Sequence, residues 1–84
     1  MSTLKIPTVE VLLFAHAAEL AGTRRLTIEA TTVADAVDVM VQQYPALASV
    51  AKISQCWVNQ QPASASDELG AGDEIAVIPP VSGG

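Results

Sequence analysis

Residues 32–44 read Thr32-Val33-Ala34-Asp35-Ala36-Val37-Asp38-Val39-Met40-Val41-Gln42-Gln43-Tyr44, and this stretch decides the fold. Val33, Ala36, Val37, Met40, Val41 and Tyr44 recur at the spacing of one helix face, while Asp35, Asp38 and Gln42 fall on the other side. Thr32 stands where an N-cap is needed, with Asp35 three residues later in the capping pattern. Pro45 stops the helix at Tyr44, because a proline disfavours helical geometry in the residue before it. A helix with one apolar stripe needs one apolar surface to cover, so the flanking segments are expected to build a sheet.

They read that way. Upstream, residues 8–14 alternate Val9, Val11 and Leu13 with Glu10, Leu12 and Phe14 as a buried strand. Ala15 to Ala21 is alanine-rich and closes on Gly22, which predicts one or two helical turns with Gly22 near the C-cap. Residues 24–29 alternate polar and apolar with period two, a second strand antiparallel to the first. Downstream, Ala46 to Ala51 predicts a short second helix, and Gln55 to Asn59 a third strand closed by the polar turn Gln60-Gln61-Pro62. Residues 63–69 are polar around the single anchor Leu69. Gly70-Ala71-Gly72-Asp73 then turns into a last strand, Glu74 to Pro79. The result is an α+β chain in the β-grasp, or ubiquitin-like, order: a mixed sheet of four to five strands with one main helix packed across one face. The first and last strands, the two most apolar, are expected as parallel neighbours at the centre.

Composition narrows the function. Eighty-four residues allow one domain, read as a body over 1–78 and a tail over 79–84. Half the residues are apolar, but 14 are alanine and only Phe14, Tyr44 and Trp57 are aromatic, so the core is small and aliphatic. The net charge of −5 argues against a nucleic-acid partner and suggests partly basic docking surfaces on protein partners. Glu10, Glu19, Glu29, Asp35 and Asp38 interrupt every apolar run long enough to span a membrane. Ala15-His16-Ala17 has the small-x-small form of a signal-peptide cleavage site. Only Lys5 charges the region before it, however, and Pro7 and Glu10 precede the run, so a first strand is the better reading. The single cysteine, Cys56, can form neither an internal disulfide nor a zinc knuckle, which makes a reducing cytoplasm the default.

The C-terminal residues Pro79-Pro80-Val81-Ser82-Gly83-Gly84 carry the chemistry. Two prolines cannot extend a strand ladder and favour an extended conformation, so the chain is expected to leave the sheet as an arm. At about 3.3 Å per residue, its six residues span roughly 20 Å, enough to enter another protein's pocket. Gly83 and Gly84 lack side chains, so a backbone of minimal width ends in an unshielded carboxylate. A carboxylate becomes an acyl donor only when activated, for example as an acyl-adenylate. The chain has no GxxxxGK[ST] loop for ATP, so a separate enzyme must supply that step.

Phe14-Ala15, Glu19-Leu20 and Gly22, Val58-Asn59, Gly72-Asp73-Glu74 and Pro79-Pro80-Val81-Ser82-Gly83-Gly84 together resemble the ubiquitin-like sulfur carriers, and within them the small subunits of molybdopterin synthase. The resemblance runs from about Val9 to Gly84. One departure is Ala18, where many members of the family carry a basic residue before the Glu-Leu pair. The resemblance implies that an E1-like adenylating enzyme activates Gly84 with ATP. A sulfur donor such as a cysteine desulfurase or rhodanese-like protein then supplies the sulfur, and the resulting thiocarboxylate enters the molybdopterin synthase large subunit. There the sulfur passes to a cyclic pyranopterin monophosphate, two transfers completing the dithiolene. It also implies a heterotetramer with the catalytic side chains on the large subunit, no cofactor or metal bound by this chain, and a tail in which Gly83 gives clearance and Pro79 to Ser82 aim the arm.

Other residues carry less. Cys56 alternates within a strand and reads as a small buried hydrophobe, not a sulfur-bearing nucleophile. His16 has no second histidine with which to form a metal site or triad. Asp35 and Asp38 fit a solvated helix face with one cap, and Arg24-Arg25 an exposed strand start able to meet an acidic patch on a partner. The competing functions are a carrier for thiamine thiazole or another thiolated product, a protein modifier joined through Gly84 to lysine, and a binding module that ignores its tail.

Overall fold

The computed structural model describes residues 6–80. Nine elements follow in order: β1 (Thr8–Leu13), α1 (Ala15–Ala21), β2 (Arg25–Glu29), α2 (Val33–Gln43), a 3₁₀ turn (Pro45–Leu47), α3 (Ala48–Ala51), β3 (Gln55–Val58), β4 (Gln61–Pro62) and β5 (Glu74–Ile78). The sheet has five strands in the order β2-β1-β5-β3-β4. The first and last strands are parallel neighbours at its centre, with Leu13 opposite Val77, and β2 and β3 flank them antiparallel. The chain therefore has the expected β-grasp architecture.

Alternation assigns the two sheet faces. Val9, Val11, Leu13, Leu26, Ile28, Ile75 and Val77 are buried on the face that α2 covers with Val33, Ala36 and Met40. Ala17, Leu47, Val50 and Leu69 close the ends of this aliphatic core. Burying a side chain the size of Met40 or Leu47, both essentially inaccessible, contributes about 1.5–3 kcal/mol. Val37, Val41 and Tyr44, read as part of the stripe, lie at its margin and are half-buried, since a flat sheet covers less than the whole apolar arc of the helix.

Local details depart from the sequence reading: the short helix expected over 46–51 divides into the 3₁₀ turn and α3, and the third strand ends at Val58, not Asn59. Asn59 and Gln60, at φ 50° and 70°, form the turn, and Gln61-Pro62 pairs with Val58 and Trp57 as an edge strand. Positive φ at both central residues matches a type I′ hairpin, and an edge strand tolerates a proline because its outer side needs no donor. The last strand ends at Ile78, not Pro79. At the start of α2, Thr32 Oγ1 accepts from the Asp35 amide as expected of an N-cap, but the Asp35 carboxylate reaches past it to the amide and hydroxyl of Thr31.

Candidate functional site

The tail leaves from β5, and β5 is held on both sides. Its C-terminal residues lie between the end of β1 and the start of β3, with Val77 opposite Leu13 and Cys56, and Ile78 opposite Gln55. Its N-terminal end is clamped by Asn59, whose amide group donates to Asp73 Oδ1 at 3.0 Å while its Oδ1 accepts from the Glu74 amide at 3.1 Å. The Asp73 carboxylate also accepts from the Gly70 amide, and this bond, followed by that from Asn59, holds its pKa below the usual carboxylate value. The last strand is therefore fixed in register at both ends.

Of the six tail residues, Pro79 is buried and Pro80 exposed; Val81, Ser82, Gly83 and Gly84 lie outside the described residues. Around that exit the surface is apolar. Ile78 is 36% exposed, Phe14 46% and Ile53 63%. Their exposure follows from parity: Phe14 and Ile78 belong with Leu12 and Ala76 to the face that α2 does not cover. In register across that face run Arg25, Leu12, Ala76, Trp57 and Pro62. The sequence reading placed Phe14 and Ile78 in apolar strands without separating the faces, although a period of two contains that signal.

Next to the exit, a cleft of about 840 Å³ opens between the ends of β1 and β2 and α1, lined by Phe14, Ala18, Glu19, Gly22, Arg24 and Arg25 among others. Ala15, at φ 52°, turns the chain from β1 into α1 at its edge, and Gly22, at φ 74°, closes that helix as the expected left-handed cap. Arg25 pairs with Glu10 across the open face.

The other sequence candidates are dispersed. Cys56 is half-buried opposite Val77, and burial pushes its thiol pKa up, so it is a poor thiolate at neutral pH. His16 is exposed, with Nδ1 3.4 Å from Glu19 Oε1. Asp35 is engaged at the helix start and Asp38 is exposed. Among the described residues no polar or charged side chain is buried. What this end offers is an aimed strand exit inside an apolar surface, an arrangement suited to presenting a peptide end.

A model of the ThiS family matches residues 11–84, a span that includes the tail. The chain is 39% identical over 82 residues to the molybdopterin synthase sulfur carrier subunit of Caenorhabditis briggsae, covering 92% of this chain and 98% of that protein. To the human protein of the same name it is 40% identical over 82 residues, covering 90% and 93%. Among solved structures, SAMP1 from Haloferax volcanii superposes with a TM-score of 0.85 at 36% identity, over 92% of this chain and 99% of that one. Among the described residues no helix is long and apolar enough to cross a membrane.

Proposed function

The chain belongs to the ThiS family, and from that premise we propose that it is the sulfur carrier subunit of a molybdopterin synthase. The observation that carries this reading is near full-length similarity to relatives bearing that name, over a span that reaches Gly84. The central placement of β5 supports it: a strand locked between β1 and β3 gives a tail a fixed origin and direction.

In this reading the chain is not catalytic alone. An E1-like enzyme joins the Gly84 carboxylate to the AMP part of ATP, releasing pyrophosphate. A persulfide on a cysteine desulfurase or rhodanese-like protein then attacks the adenylate carbonyl and displaces AMP; a second thiol cleaves the resulting acyl disulfide, which leaves the terminus as a thiocarboxylate and the two donor thiols joined as a disulfide. Once the terminus is inserted into the large subunit, its sulfur attacks cyclic pyranopterin monophosphate, and water then cleaves the acyl–sulfur bond, which returns the Gly84 carboxylate and leaves the sulfur on the pterin. The chain's own part is mechanical: Gly83 and Gly84 pass a narrow channel, Pro79 to Ser82 stiffen the approach, and the body docks. We place the reaction in the cytoplasm.

The test is the intact mass of tag-free protein purified from its own cells. One oxygen replaced by sulfur, mapped to Gly84, is the expected result. An unmodified terminus, even with the activating enzyme and sulfur donor supplied, would overturn the carrier reading. The likeness to SAMP1, a structure of a small archaeal modifier protein, favours a second reading in which Gly84 forms an isopeptide bond with lysine. Lysine-linked adducts without any thiocarboxylate would select it.

A further inference from the structure

The charges of this chain are sorted along the sheet. Among the described residues the cations are Arg24, Arg25 and Lys52, and all three stand at the end where β5 finishes. The Arg24 carbonyl accepts from the Leu13 amide at 2.8 Å, Arg25 lies opposite Leu12, and Leu13 in turn lies opposite Val77. Lys52 caps α3 just before β3 opens at Gln55, opposite Ile78. With neighbouring strands about 4.8 Å apart, β2 and β3 are roughly 15 Å apart across β1 and β5, so Arg24 and Lys52 flank the exit of the tail.

The opposite end is acidic. Glu29 lies opposite Thr8, Asp35 in the first turn of α2, and Glu68 opposite Thr32. The Asp67 carbonyl accepts from the Val33 amide, and the Asp73 carbonyl from the Glu10 amide ahead of Glu74. No lysine or arginine of the described residues stands there. The carboxylates nearest the three cations are Glu10, which sits opposite Glu74 in β1 and reaches along the sheet to Arg25, Glu19, beside His16, and Asp38, which lines a shallow hollow together with Lys52. Arg24 and Lys52 are exposed and form no salt bridge among the described residues.

The net charge of −5 therefore misleads about the docking end. Strands of five or six residues separate the two ends by about 15–20 Å. That is about twice the Debye length of roughly 8 Å at physiological ionic strength, so a partner at the tail end meets the local cations more strongly than the distant carboxylates. We infer that the protein receiving the tail carries an acidic rim around its channel mouth, meeting Arg24 in the cleft beside α1 on one side and Lys52 on the other, with Phe14, Ile53 and Ile78 forming the apolar contact between them. The sign is opposite to the basic partner surface expected from composition.

This inference rests on the carrier reading for the identity of the receiver, the molybdopterin synthase large subunit. The test is stopped-flow association of the full chain with that subunit from about 20 to 500 mM NaCl. The expected result is an association rate constant that falls about tenfold over this range, with the dissociation rate changing little. Arg24→Glu combined with Lys52→Glu is expected to lower the low-salt rate about tenfold and flatten the salt dependence, the Gln pair to fall between, and Glu68→Lys at the far end to leave the association rate within about twofold. A salt-independent rate, or faster association of the Glu pair, overturns the acidic rim and leaves the carrier reading standing. Absence of binding at every salt concentration overturns the rim together with this choice of receiver, whereas the Gly84 mass measurement judges the carrier chemistry independently.

Discussion

Asn59 combines a backbone role with a side-chain role. Its φ of 50° costs an L-residue about 1–2 kcal/mol unless the side chain finds local partners, and here it finds Asp73 and the Glu74 amide. Asn59→Ala loses both hydrogen bonds and keeps the strained backbone, so a loss of about 2–3 kcal/mol is expected in urea melts; Asn59→Gly, which relieves the backbone, should lose about 1 kcal/mol less. Equal losses would show that the backbone conformation costs nothing. Asp73 makes the same clamp sensitive to acid. Its pKa is lower in the folded chain than its unfolded value of about 3.9, so its stabilisation is present above that value and fades as pH falls through the folded pKa. The stability difference between wild type and Asp73→Ala should therefore be largest near neutral pH and shrink below about pH 4. A difference independent of pH would assign the effect to lost packing. Neither role was legible in the sequence, which places Asn59 at the end of the third strand and Asp73 in a turn, because a clamp joining Asn59 to Asp73 is a tertiary fact. The left-handed Asn59-Gln60 pair also lacks the glycine that usually marks such a hairpin.

At the scale of elements, periodicity succeeded wherever one face is buried and the other wet. The helix over 33–43, its Thr32 cap, the left-handed Gly22 stop and the central pairing of β1 with β5 all follow from patterns several residues long. Short features escaped the same reasoning. The two-residue strand β4 contains too few side chains for a period, and the short helix expected over 46–51 divides into a 3₁₀ turn at Pro45–Leu47 and a helix at Ala48–Ala51, a division that the pattern does not show. The stripe of α2 also predicts where substitution costs most. Met40, 1% exposed at the helix–sheet contact, should lose about 2–5 kcal/mol on change to Ala, whereas Val41 at the half-buried margin should lose clearly less on the same change. Similar losses at both positions in thermal or urea denaturation would mean that the helix sits more deeply, or is rotated, relative to the sheet.

Across the whole molecule, the stretch of chain that carries stability ends where the stretch proposed to carry the chemistry begins. The last residue of the aliphatic core is Val77, and Pro79 is the last buried residue of those described. The role proposed for the tail rests on covalent features, stiff prolines and side-chain-free glycines, that are read from sequence without any tertiary contact, and residues 81–84 lie outside the described residues. The surface that surrounds it was the least legible, because Arg24, Lys52, Phe14 and Ile78 converge only through strand register. Deleting Gly84 should separate the two layers. It removes no core side chain and no hydrogen bond of the described body, so the unfolding free energy should stay within about 0.5 kcal/mol of wild type. The shortened arm, about 3.3 Å less in reach and ending at Gly83, should accept no sulfur from the activating system and support no molybdopterin formation. Full activity with an unchanged melt would assign the function to the body and make the tail dispensable, whereas a large loss of stability would mean that the terminus folds back onto the domain it is proposed to leave.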